Sequence, residues 1–163
     1  MFFDRSAEPG QHRPLMAFLL LTLLVGAAGT LFAEPSIPTW YAGLNKPSFN
    51  PPNWVFAPVW TTLYGLMAVA AWRVWKVVSL NSPELIIWMS QLTLNFFWSA
   101  IFFSLHLILL ALVEMALLWL LILVTIILFW RRDRIAGLLF VPYLAWVSFA
   151  FALNFAIWQL NGN

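Results

Sequence analysis

Apolar residues fall along this chain in five blocks of about twenty, separated by short runs in which charge and proline collect. A block of that length crosses hydrocarbon as a helix, because a helix satisfies its own backbone donors and acceptors where water is absent. The blocks cover residues 15–33, 54–77, 83–103, 107–130 and 135–158. The pattern predicts an all-α fold: a polytopic, five-transmembrane-helix bundle forming one membrane domain over residues 1–163. The breaks are chemically specific. Glu34-Pro35-Ser36-Ile37-Pro38 stops the first span, and Asn53 is placed to cap the amides that open the second. Arg73 and Lys76 near the end of the second can snorkel to the interface. Ser82-Pro83-Glu84 opens the third with a cap, a first-turn proline and an acid at the positive end of the dipole. Residues 104–107 make a short turn, and Arg131-Arg132-Asp133-Arg134 separates the last two spans.

The loop at 34–53 is the long interruption. From Trp40 to Trp60 the chain reads WYAGLNKPSFNPPNWVFAPVW, with four prolines (Pro47, Pro51, Pro52, Pro58) within twelve residues. Proline fixes φ and removes a donor, which predicts a stiff, extended, non-helical segment from Pro47 to Pro52. A stiff aromatic loop between two membrane helices suits a lid.

Inside the spans, polar and aromatic residues recur at helical spacing and so share faces. Phe56, Trp60 and Tyr64 form one stripe on span two; Gln91, Asn95 and Trp98 one on span three; Tyr143, Trp146, Ala150 and Asn154 one on span five. Amides avoid lipid, so these faces point inward, either to hold helices together or to line a cavity. Glu114 is the lone acid deep within a span. With no lysine or arginine at its depth it is expected to be protonated, hydrogen-bonded to another helix, or both, and the shortage of further acids and histidines favours a structural role over proton transport. Pro142 should bend span five by removing the bond to the Leu138 carbonyl, while Gly137 and Ala145 permit close helix approach. Small residues at Ala100, Ser104, Ser148 and Ala152 offer further helix seams.

Composition agrees with a membrane protein: 63% of the 163 residues are hydrophobic, 9% are charged, and the mean hydropathy is +0.88. There is no cysteine, which excludes disulfides and thiolate chemistry. The net charge of +2 makes no nucleic-acid patch, because the cations line the span ends. Seven of the eight (Arg5, Arg13, Arg73, Lys76, Arg131, Arg132, Arg134) lie on one side, and Lys46 alone lies on the other. In a bacterial cytoplasmic membrane this predicts a cytoplasmic N-terminus with the proline-rich loop and the C-terminus outside. The first apolar block is longer than the core of a signal peptide, about 7–15 residues, and reads as a span. The odd span count and the lack of an internal repeat weigh against two inverted transporter halves.

Taken together, the loop, the stripes and the kink resemble the TspO/MBR family of tryptophan-rich sensory proteins and translocator proteins. The resemblance is carried by Trp40-Tyr41, Leu44-Asn45-Lys46-Pro47, Asn50-Pro51-Pro52, Trp54-Val55-Phe56, Trp60 and Tyr64. It continues in Gln91, Asn95 and Trp98, in Phe140-Val141-Pro142-Tyr143-Leu144-Ala145-Trp146, and in Leu153-Asn154-Phe155. It implies a five-helix bundle, often a homodimer, with a ligand cavity beneath the first loop that takes porphyrins such as protoporphyrin IX, sterols in some members, or synthetic ligands. The positions matching that cavity are Tyr41, Pro51, Phe56, Trp60, Asn95, Trp98, Trp146 and Ala150. Trp60 and Trp146 match the two tryptophans linked in the family to light-dependent porphyrin breakdown, and Glu114 falls where several relatives carry an acid. This chain departs at Ser48-Phe49, where many relatives have tryptophan before Pro-Pro. It departs again at Phe155 and Gln159, where the sterol-associated motif needs a tyrosine and a base, which weighs against cholesterol.

A flat apolar macrocycle suits stacking on Trp60, Trp98 and Trp146 at about 0.5–1.5 kcal/mol per contact beyond area burial. Lys46 is the main candidate cation for its acid groups, and His106 is a distant second. The two histidines, His12 and His106, lie outside the spans, so a metal-free tetrapyrrole suits the chain better than ligated haem; no metal site or cofactor is expected. Three readings compete. The first is a membrane receptor that binds, and passes on or senses, a porphyrin or other apolar small molecule. The second is a light- and oxygen-dependent porphyrin-degrading enzyme using Trp60 and Trp146. The third is a lipid- or sterol-binding structural bundle. No acid–base pair, nucleophile or metal cluster supports hydrolytic or transfer chemistry.

Overall fold

The structure is a computed structural model that describes residues 12–162. Arg5 and Asn163, used above for orientation and for the chain end, lie outside the described residues, as does the side chain of His12. Six α-helices follow in order: α1 (His12–Ala33), α2 (Phe56–Trp75), α3 (Pro83–Ser99), α4 (Ile108–Arg132), α5 (Arg134–Leu139) and α6 (Val141–Asn161). They provide five segments long and apolar enough to cross a membrane, the fifth being α5 and α6 together, so the protein is an all-α, multi-pass integral membrane protein.

The bundle has an arginine end and a lid end. At the arginine end Ser82 accepts from the Leu85 amide, as the Ser-Pro-Glu start predicts. Asp133 accepts from the amides of Ile135 and Ala136 and so caps α5. Ion pairs then tie the elements together: Arg73 Nε to Asp133 Oδ2 at 2.8 Å, and Arg132 Nε to Glu84 Oε1 at 2.6 Å. Arg73 therefore pairs with the last interhelical turn rather than only snorkelling, while Lys76 lies over the Trp72 ring.

α4 packs on α3, α5 and α6, while α1 lies against α2 and α3. The main core gathers Met67, Ala71, Trp88, Leu92, Ile122 and Phe140, all essentially solvent-free. Gly26 lets α1 approach α2: a Cβ there would collide with the Tyr64 ring. Gly137 does the same where α5 folds back on α4, since a Cβ would stand 3.0 Å from the Trp130 Cα.

Several expectations are corrected. Pro142 interrupts the fifth span, but as a break at Phe140 between two helices: it sits in the first turn of α6, where its missing amide hydrogen costs nothing. Asn53 does not cap α2 through its side chain; it starts a 3-10 turn closed by the Val55 amide on the Pro52 carbonyl, at 3.0 Å. Ala145 faces outward on α6 rather than sitting in a tight helix contact. Pro47 to Pro52 is non-helical but not extended throughout, because the Asn50 amide donates to the Pro47 carbonyl at 3.0 Å and turns the chain at Ser48-Phe49.

Candidate functional site

The lid begins with a helical turn that the proline content had not suggested. Ile37–Tyr41 is a single wide turn in which the Tyr41 amide reaches back to the Ser36 carbonyl, at 2.8 Å. This turn presents Trp40 and Tyr41 to the end of the bundle. Trp40 stacks on His106 with centroids 4.2 Å apart. His106 itself holds φ 58° in the turn between the third and fourth spans. Tyr41 is buried and donates its hydroxyl to Asn50 Oδ1 at 2.9 Å. Burial pushes its phenol pKa upward, and the Asn50 bond offsets this only partly, so the neutral hydroxyl is the donor.

Lys46 is not a free cation. Its Nζ donates to the carbonyls of Leu44 and Ala42 at 3.0 and 3.3 Å and lies 4.8 Å from the Tyr41 ring centroid. Two of its three donors thus close the turn, leaving one for another acceptor. The lid is also fastened to the far end of the chain. The Asn45 amide donates to Asn161 Oδ1 and Asn161 Nδ2 donates to the Asn45 carbonyl, both at 2.9 Å. Ser36 Oγ donates to the Phe103 carbonyl at 2.6 Å, and Phe49 meets Phe149 at 6.2 Å. Pro51 lies half-buried just below the Ser48-Phe49 turn.

Beneath the lid the three polar and aromatic stripes meet. The Tyr64 hydroxyl of α2 donates to Asn95 Oδ1 of α3 at 2.6 Å, and Asn95 Nδ2 donates to the Tyr143 hydroxyl of α6 at 3.0 Å. Trp98 stacks on Phe102 and donates its indole N–H to Asn154 Oδ1 at 3.3 Å, and Asn154 Nδ2 donates to the Ile108 carbonyl. Asn95 and Asn154 therefore each bond two partners and so join three helices, which gives helix-holding a concrete geometry. Gln91 is fully buried, yet neither of its amide atoms finds a partner among the described residues. Glu114 is likewise buried with both oxygens unpartnered among the described residues, so of its two expected states, protonated or bonded to another helix, the bond is not formed.

The aromatic members form a wall between α2 and α6. Phe56 meets Trp146 edge-on at 5.8 Å, and Trp60 lies on Tyr64 at 5.5 Å and meets Tyr143 at 6.1 Å. These rings hold the two helices apart, and the outer side of the gap is a groove of about 620 Å³. Its sides include Pro58, Val59 and Leu63 from α2 and Ala145, Trp146 and Phe149 from α6. Of the cavity residues expected from sequence, Trp146 alone lines this groove; Phe56 touches it through Trp146, while Trp60, Asn95, Trp98 and Ala150 belong to the packed interior. Sequence reasoning missed the Asn45–Asn161 clamp: it uses the backbone of residue 45, which any residue supplies, so its only signal was the Asn161 side chain near the end of the last span.

A multi-pass bundle with a fastened lid, a three-helix polar network and an aromatic wall facing a groove defines the class of membrane protein. The profile of the TspO/MBR family matches residues 18–159, and the chain belongs to that family. It is 43% identical over 148 residues to the tryptophan-rich protein TspO of Archaeoglobus fulgidus, covering 90% of this chain and 96% of that one. It is 46% identical over 145 residues to the TspO of Chlorobaculum tepidum, covering 86% and 91%. With the translocator protein of Homo sapiens it shares 36% identity over 152 residues, covering 91% and 90%.

Proposed function

We propose that this protein is a membrane receptor for a flat, apolar, porphyrin-type ligand that stacks on Trp146, the member of the aromatic wall that lines the groove. The observation that carries the reading is the groove of about 620 Å³ with Trp146 as one side, which is within the size range of small-molecule sites and almost wholly apolar. A conjugated macrocycle gains from ring contact as well as from leaving its surroundings. The third donor of Lys46 is available to an acid group of the ligand at the lid end. The arginine end faces the cytoplasm in this reading, and the lid faces outward.

Titration of the purified protein with protoporphyrin IX in the dark should quench its tryptophan fluorescence saturably. Trp146→Phe should weaken binding by about 2- to 10-fold, the equivalent of one lost ring contact. Lys46→Ala should weaken protoporphyrin IX more than its dimethyl ester. Absence of saturable quenching removes the reading, and equal loss for acid and ester removes the role of Lys46. The same titration under light separates reversible binding from breakdown of the porphyrin.

A further inference from the structure

We infer that a porphyrin-type ligand reaches the aromatic wall sideways from the lipid, through the gap between α2 and α6, while the lid stays closed. This rests on the binding reading above and concerns its route. Two regions lead to the wall, and they are built differently. The lid is fastened at three places: by Asn45 to Asn161 at the end of α6, and by Ser36 to the Phe103 carbonyl and Trp40 to His106 in the connection between α3 and α4. Lys46 and Tyr41 stiffen it from within. Lifting it for a macrocycle means releasing these bonds together.

The α2–α6 gap needs no such release. Among the described residues the two helix backbones touch little, because Phe56 against Trp146 and Trp60 against Tyr143 act as spacers. The open side of the gap is already suited to hydrocarbon. Pro58 and Pro142 present rings without a backbone donor, and the Thr62 hydroxyl is satisfied by the Pro58 carbonyl at 2.9 Å. Ala145 is the small residue that gives the groove its depth next to Trp146. Trp146 is shared: it forms one side of the groove and contacts Phe56. An apolar macrocycle dissolved in the bilayer thus meets its stacking partner without crossing water. Its acid groups stay towards the lid end, at the level of Lys46.

The chain has no cysteine, so a single engineered pair can be oxidised without competition. Asn45→Cys with Asn161→Cys locks the lid where the Asn45 backbone now bonds the Asn161 side chain. Ala145→Phe fills the groove. Association of protoporphyrin IX with protein in lipid nanodiscs is followed by stopped-flow quenching of tryptophan fluorescence. The oxidised lid-locked variant should associate within about twofold of its reduced form, and Ala145→Phe should slow association by about tenfold or more. Val59→Phe, from the opposite side of the groove, repeats the test if Ala145→Phe does not fold. Asn161→Ala, which unfastens the lid without a cross-link, should leave the association rate unchanged. The route is overturned if oxidation blocks association and reduction restores it, or if Asn161→Ala speeds it. An unchanged rate in the groove-filled variants also overturns it and makes the groove a seat for lipid chains. Failure of the wild-type protein to quench at all counts against the binding reading itself, whereas normal quenching with the wrong kinetics counts against the route alone.

Discussion

The two ends of this bundle are closed by opposite chemistries. At the arginine end, Glu84 is 4% exposed and is held by Arg132, while Asp133 both pairs with Arg73 and caps α5. At the lid end no ion pair forms among the described residues, and closure rests on neutral hydrogen bonds and ring contacts. Removing one partner of a sunken ion pair strands a charge, whereas removing a neutral partner strands a dipole that water can serve. The arginine end is therefore a fixed base, and the lid end is where smaller energies decide the conformation.

That contrast can be broken most sharply at the base. Arg132→Met should cost about 2–4 kcal/mol by leaving Glu84 buried without its cation. The expected loss of thermal stability in detergent should be largely recovered by adding Glu84→Gln. If the single variant is neutral, the base is not ionic in effect. Gly26→Val comes next: the new side chain must push the Tyr64 ring off its place between α1 and Asn95. About 1–3 kcal/mol of destabilisation is expected from such overpacking, with weaker porphyrin quenching alongside it. Quenching unchanged in a destabilised variant would uncouple the polar network from the site.

Asn95→Ala tests the joint between the halves. It leaves the Tyr64 and Tyr143 hydroxyls without their shared partner and should cost about 1–2 kcal/mol, near the upper end for interhelical bonds in membranes. A double-mutant cycle with Tyr143→Phe should show clear coupling; additivity would make the network incidental. The smallest effect is reserved for the lid. Asn161→Ala should cost about 0.5–1 kcal/mol locally and leave global melting unchanged. Hydrogen exchange at the amides of residues 44–46 should then accelerate by a few-fold. Equal acceleration at the arginine end would erase the distinction between the two ends.

Much of this architecture is legible in the sequence because a bilayer imposes strict local rules. A helix must carry enough consecutive apolar residues to cross, and its breaks must hold charge, proline or a cap, so five spans and the Ser82-Pro83-Glu84 start could be read directly. The same rule placed Asn95, Tyr64 and Tyr143 on inward faces, since amides and phenols shun lipid. It did not say that the three would bond to one another, which depends on the relative rotation and depth of α2, α3 and α6. Nor did it reveal that Lys46 would be occupied by carbonyls or that Pro142 would begin a new helix after Phe140.

Sequence alone thus determined the number of spans, the inward faces, the single lysine of the lid and the family resemblance, because each follows from residues close together in the chain. Tertiary structure decided the Asn45–Asn161 clamp, which links residues 116 apart, and the spacing of α2 from α6 by their own rings. The reason is physical: desolvation acts on each segment by itself, whereas a hydrogen bond or a groove exists only once two segments have been brought together at a particular height and angle.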